Sequence, residues 1–236
     1  MMILFASNHA LFSAYFQADF FGKCIFFGLF ALSILCWIVL IYKTHEVRKA
    51  KHQALAFERL FEKNKERLLH FPIKQQKHPF AQVFLALKQK TLEILNKNHF
   101  FAEEKEIVYL TRSDLELLES HVLTTISSEA KRLEKNLFIL STIEKLAPFL
   151  GLLGTVWGIL VTFSHLQGGA GVSSNNEMLG GLSTALATTV LGLLIAIPAL
   201  ISHNWLRNSF KYIASDMEDF LYKLLSTLEF QYRKPL

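Results

Sequence analysis

Threonines and glycines at helical spacing, set inside two apolar runs, are the residues of this chain best placed to do chemistry. The run 146–166 carries Gly151, Gly154, Thr155 and Gly158. The run 179–201 carries Gly181, Ser183, Thr184, Thr188, Thr189, Gly192 and Ala196, and neither run contains Asp, Glu, Lys or Arg. A hydroxyl both donates and accepts, so hydroxyls facing one another or trapped water pass a proton or ion along a hydrogen-bonded chain. Near neutral pH they cannot store that proton. The small residues have a different use. Gly154 with Gly158, and Gly151 with Thr155, are small residues four apart, a spacing that lets a second helix backbone approach closely. In the later run Gly181, Thr184 or Ala185, Thr188, Gly192 and Ala196 form one stripe, with Thr189 at its border. Each threonine has a plainer alternative, a bond back to a carbonyl three or four residues earlier. Pro148 and Pro198 each remove a backbone donor near one end of a run, which makes them candidate hinges or simple kinks.

The elements that must hold these residues are membrane spans. About 20 apolar residues rising 1.5 Å each cross the roughly 30 Å hydrocarbon layer. A third run, Cys24 to Tyr42, meets the same test, so the expectation is an all-α integral membrane protein with three transmembrane helices. Of the 25 Lys and Arg residues, only Lys23 lies outside 43–145 and the region after Trp205. Positive loop residues stay on the cytoplasmic side. The expected order is an outer leader 1–22, a first span 23–42, a cytoplasmic helical loop 43–145, a second span 146–166, an outer loop 167–178, a third span 179–201 and a cytoplasmic tail helix 202–236. The leader lacks the basic start of a cleaved signal, so the first span is expected to be retained.

Several functions are excluded or disfavoured. The net charge of +5 comes from basic and acidic residues interleaved along the loop, which reads as solvated helix faces drawn to a lipid surface rather than as a nucleic-acid site. Cys24 and Cys36 lie about 18 Å apart along one helix, too far for a disulfide. No nucleophile cluster, metal-ligand spacing or phosphate loop appears, so neither an enzyme nor a cofactor or metal site is expected. His165 and His203 sit near span ends as solvated imidazoles or relays, and Trp157 and Trp205 serve as interface anchors or packing residues.

The loop reads as helix. From Thr44 to His70 there is no Pro or Gly, and Leu55, Leu60, Phe61 and Leu68 recur among charges. After Pro72 and the His78-Pro79 step, Phe80, Val83, Phe84, Leu87, Leu92 and Leu95 form another stripe. A further helix is expected to start with Ser113 as its N-cap and Asp114 and Glu116 in its first turn. It would run through Leu115, Leu118, Val122, Ile126, Leu133, Leu137 and Leu140 without a breaker before Pro148, and feed straight into the second span. These stripes predict core or subunit packing.

The text LAPFLGLLGTVWGILVTFSHL at 146–166, preceded by RLEKN at 132–136, and GGLSTALATTVLGLLIAIPAL at 180–200 resemble the TolQ/ExbB/MotA family of proton-channel subunits. Three spans, an outer N-terminus and one large inner loop look like TolQ and ExbB rather than the four-span MotA. Leader and total length look more like TolQ. The resemblance implies a bacterial inner-membrane homo-oligomer, expected as a pentameric ring, with long cytoplasmic helical extensions. Such a ring surrounds the membrane helices of a TolR- or ExbD-like partner and drives a TolA- or TonB-like transducer, with Tol-Pal envelope maintenance preferred over TonB-type import. The family's pore threonines fall on Thr155 and Thr189, with Thr184 and Thr188 beside them on the expected proton pathway. The best-known members place a glutamate where this chain has Thr184. The titrating group is therefore expected from a partner chain, most simply an Asp on its helix. Two other readings stand beside this one: a non-conducting scaffold that gathers partner helices on the same glycine faces, and a ligand transporter, which would need a midplane site or internal repeat that this chain does not display.

Overall fold

The computed structural model describes residues 14–16, 18–63, 78–101, 109–167 and 174–232, and among them every regular element is helical. The helices are α1 (Phe20–Lys63), α2 (Pro79–Phe101), α3 (Arg112–Glu134), α4 (Leu137–Gln167) and α5 (Ser174–Tyr232). They sort into two units, one from Met1–Lys43 with Asn136–Trp205, the other from Thr44–Lys135 with Leu206–Leu236.

Three of these helices contain stretches long and apolar enough to cross a membrane, within Phe20–Arg59, Leu137–Ser164 and Leu179–Tyr232, with mean hydropathy of 2.8, 1.9 and 2.2. α1 has 44 residues and α5 has 59. At 1.5 Å per residue α5 is about 88 Å long, nearly three times the thickness of a hydrocarbon layer. Pro148 lies inside α4 and Pro198 inside α5; each helix continues past its proline, as membrane helices do when neighbouring helices compensate for the missing donor.

The second unit is a helical bundle with a phenylalanine core. Phe57 and Phe61 of α1, Phe80 and Phe84 of α2, and Phe210 and Phe220 of α5 are all buried. The Phe220 ring meets those of Phe57, Phe61 and Phe80 at centroid separations of 5.7, 5.4 and 5.8 Å, in the edge-on and tilted arrangements that aromatic quadrupoles favour. α3 adds Leu118, Val122, Ile126 and Leu133. Each such side chain taken fully out of water contributes about 1.5–3 kcal/mol. Of the stripe residues, Leu55 and Leu92 are exposed on the single chain, and Leu68 and the side chain of Leu60 lie outside the described residues.

Two expectations about α3 need correction. Its N-cap is Thr111, not Ser113: the Asp114 N–H donates to Thr111 Oγ1 at 3.2 Å and the Thr111 N–H donates to Asp114 Oδ2 at 2.9 Å, a reciprocal box that leaves Ser113 as the second residue inside the helix. Nor does α3 run into the second span. Lys135 leaves the helical region at φ −52° and ψ 135°, and Asn136 adopts φ 70°, a left-handed conformation that Asn tolerates better than most residues. α4 then begins afresh, the Ile139 N–H donating to the Asn136 carbonyl at 3.2 Å.

Candidate functional site

Within the first unit α4 and α5 meet along a seam of small residues. A Cβ placed on Gly151 would stand 2.9 Å from the Thr188 carbonyl oxygen and 2.9 Å from Thr189 Cα. One on Gly158 would stand 2.8 Å from Ala185 Cβ, and one on Gly192 2.6 Å from the Ala147 carbonyl oxygen. Gly154 faces the Thr188 side chain, and Gly181 faces the Thr162 hydroxyl. The glycines are therefore spent on backbone-to-backbone approach, the arrangement that drives association of membrane helices. The outward faces are apolar: Leu152, Val156, Leu160 and Phe163 on α4, and Leu186, Val190, Leu193 and Ile197 on α5, are exposed.

The hydroxyls divide by partner. Thr189 Oγ1 crosses the seam to donate to the Gly151 carbonyl at 3.0 Å. Thr188 Oγ1 lies 2.7 Å from the Ala185 carbonyl of its own helix and 3.3 Å from the same Gly151 carbonyl; with one proton, it serves one of them at a time. Thr184 Oγ1 lies 2.9 Å from the Gly180 carbonyl and 3.0 Å from the Ala14 carbonyl of the segment before α1. Thr155 Oγ1 donates back to Leu152 at 2.6 Å. Thr188 and Thr189 thus converge on one carbonyl, whereas Thr155 is turned along its own helix and Thr184 ties in the N-terminal segment. Thr184 and Thr188 are buried; Thr155 and Thr189 are half-buried.

Sequence reasoning passed over two carboxylates in this unit. Asp19 caps α1, its Oδ1 accepting the Gly22 N–H at 2.9 Å, while its Oδ2 accepts the Trp157 indole N–H of α4 at 2.8 Å. The Phe21 ring lies 4.4 Å from the Trp157 ring, so this tryptophan is a packing residue on α1. The signal was present: Asp19 is the only acidic residue before Tyr42. The second is Glu144, whose Oε2 lies 3.4 Å from His203 Nδ1 of α5. The side chain of His165 lies outside the described residues, and among the described residues no group of three His, Cys, Asp or Glu is placed to hold a metal.

Three apolar helices with a glycine seam and hydroxyls on a shared carbonyl define a polytopic membrane protein. Residues 85–219 match the model of the MotA/TolQ/ExbB proton channel family, and the chain belongs to that family. A biopolymer transport protein ExbB of Aquifex aeolicus is 47% identical over 76 residues, 32% of this chain and 51% of that protein. One of Helicobacter pylori is 50% identical over 72 residues, 30% of this chain and 49% of that protein. These matches span about half the length of those relatives. The Tol-Pal system protein TolQ of Haemophilus influenzae is 25% identical over 211 residues, 86% of each chain.

Proposed function

We propose that the protein is the ring-forming, helix-rich subunit of a proton-driven motor in a bacterial inner membrane. In this reading several copies, expected as five, surround the single membrane helices of a TolR- or ExbD-like partner. Proton passage then moves a TolA- or TonB-like transducer. The N-terminus is periplasmic, and the long loop and the tail are cytoplasmic. The alignment along most of both chains with a TolQ supports a Tol-Pal role, while the higher identities, over shorter stretches, belong to ExbB proteins. The co-purifying partner separates the two systems.

The observation that carries this reading is the convergence of Thr188 and Thr189 on the Gly151 carbonyl in spans without a charge. A charged side chain costs at least about 2.5 kcal/mol at the bilayer centre, so hydroxyls can line a path that the partner's carboxylate serves. Each charge crossing supplies about 2.3 kcal/mol per 100 mV. Thr155 and Thr184 complete the path, Gly151, Gly154, Gly158, Gly181 and Gly192 hold it together, and Pro148 and Pro198 are its hinges. The backbone contacts at Gly151 and Gly192 favour a second reading, a non-conducting scaffold.

Thr189→Val separates the two. It keeps the β-branch and nearly the volume while deleting the hydroxyl. A relay loses proton flux and envelope function with the complex still assembled, whereas Thr189→Ser keeps part of both. Lost assembly is not expected, because membrane hydrogen bonds average only about 0.6 kcal/mol. Full flux in Thr189→Val and in Thr155→Val, with the ring intact, would leave the scaffold reading.

A further inference from the structure

Glu144 and His203 form an acid–imidazole pair between α4 and α5, with 23% and 16% of their side chains exposed. Their positions on the helices are informative. Glu144 precedes Gly151 by seven residues, two turns on the same face of α4, and His203 follows Thr189 by fourteen, four turns on the same face of α5. The pair therefore continues the stripe whose hydroxyls meet at the Gly151 carbonyl, about 10 Å further along α4. Between them the two helices are in close contact, the Gly192 position lying against the Ala147 carbonyl. Pro148 follows Glu144 by four residues and has no N–H to offer the Glu144 carbonyl, so the backbone beside the pair keeps an acceptor free of the usual helical bond.

We propose that Glu144 and His203 are the proton-exchange site at the Trp205 end of the spans. A proton delivered along the hydroxyl path is taken up by this pair and released to water at the membrane surface, after which the pair regains its starting charge. A threonine hydroxyl cannot hold a proton near neutral pH, whereas an imidazole beside a carboxylate can. The charged groups nearest along the two helices are Lys145, next on α4 and exposed, and Arg207, one turn beyond His203 on α5; Lys43, which ends the α1 segment of this unit, is buried. Asp19 stands elsewhere, on Trp157. This inference rests on the conducting reading above.

The test uses the full complex with its co-purified partner in liposomes, under an imposed potential. Glu144→Gln and His203→Gln retain hydrogen-bonding capacity and lose titration. Each is expected to lower proton flux at least about tenfold with unchanged assembly, in keeping with loss of a positioned proton carrier, and to flatten the dependence of flux on the pH at that face. Raising the concentration of an impermeant buffer in the compartment facing the pair is expected to restore flux, which a merely structural ion pair would not allow. Unchanged flux and pH profile in both variants, or a loss that buffer cannot restore, overturns the proposal. A wild-type complex that conducts no protons overturns the conducting reading itself, a result distinct from either.

Discussion

A single methyl group decides how close α4 and α5 can come. At Gly151 the added Cβ meets main-chain atoms at 2.9 Å, which no rotamer change relieves, so the helices must part. Gly28 on α1 has nothing within 4 Å of the same position. Gly151→Ala is expected to destabilise the detergent-solubilised protein by about 1–3 kcal/mol, the usual cost of overpacking. Gly28→Ala is expected to be neutral or to gain up to about 1 kcal/mol from helix propensity. Thermal unfolding of the two variants side by side is the measurement, and equal midpoints would show that the seam yields more readily than its geometry says. That Gly151, Gly154 and Gly158 share one face of α4 was legible in the sequence, because three- and four-residue spacing keeps them on one side of a helix. Which hydroxyl reaches which carbonyl was not: Thr188 and Thr189 are neighbours in sequence, yet their bonds to Gly151 depend on how deeply the helices interlock. The Asp19–Trp157 contact joins residues 138 apart, a pairing with no local signature.

At the level of the element, helix starts carry the chemistry. His78 stands before Pro79 at the head of α2 and is buried, its Nδ1 accepting the Phe80 N–H at 3.0 Å and its ring stacked near Phe57. Burial lowers its pKa below the ordinary value of 6.5, with backbone hydrogen bonds at His78 and Gln53 offsetting part of the shift. The unfolded chain therefore binds the proton first. The contribution of this cap is complete above the unfolded value of about 6.5 and is lost as pH falls through the lower folded one. Glu129 and Asp216, whose pKa values burial raises, act in the opposite sense. His78→Asn can still cap the helix but does not titrate in this range. Protection of the α2 amides, the exchange rate taken relative to the intrinsic base-catalysed rate at each pH, is expected to fall on acidification in the wild type and to stay flatter in His78→Asn; parallel profiles would remove His78 from the account. The apolar stripes that predicted these helices are mostly buried, as at Phe80, Val83, Phe84 and Leu87. The break at Asn136 escaped notice because the breaker is neither Gly nor Pro and sits in a charged stretch that reads as continuous helix.

Across the whole molecule the three apolar stretches were legible from composition alone, since length and absence of charge are what the bilayer demands. Their orientation is argued from Lys and Arg placement and has a direct measurement. With Cys24 and Cys36 replaced, Ser173→Cys is expected to react with an impermeant thiol reagent added outside intact cells, and Gln75→Cys only after the membrane is opened. The reverse pattern would invert the orientation and remove the basis for placing the loop in the cytoplasm. The two units that organise the described residues were less apparent, because the chain leaves the first unit within α1, returns to it at Asn136 and leaves again within α5.

Those three crossings are not mechanically alike. At Lys43 and at Trp205 the chain passes from one unit to the other inside an unbroken helix, whereas at Asn136 it passes through a left-handed residue between two helices. A continuous helix resists torsion along its axis, except where Pro198 removes one backbone hydrogen bond from α5. The crossing at Asn136 has the geometry of a swivel and can absorb such torsion. Two of the crossings are therefore helical and one is jointed, so the backbone is free to turn at Asn136 in a way that it is not at Lys43 or Trp205.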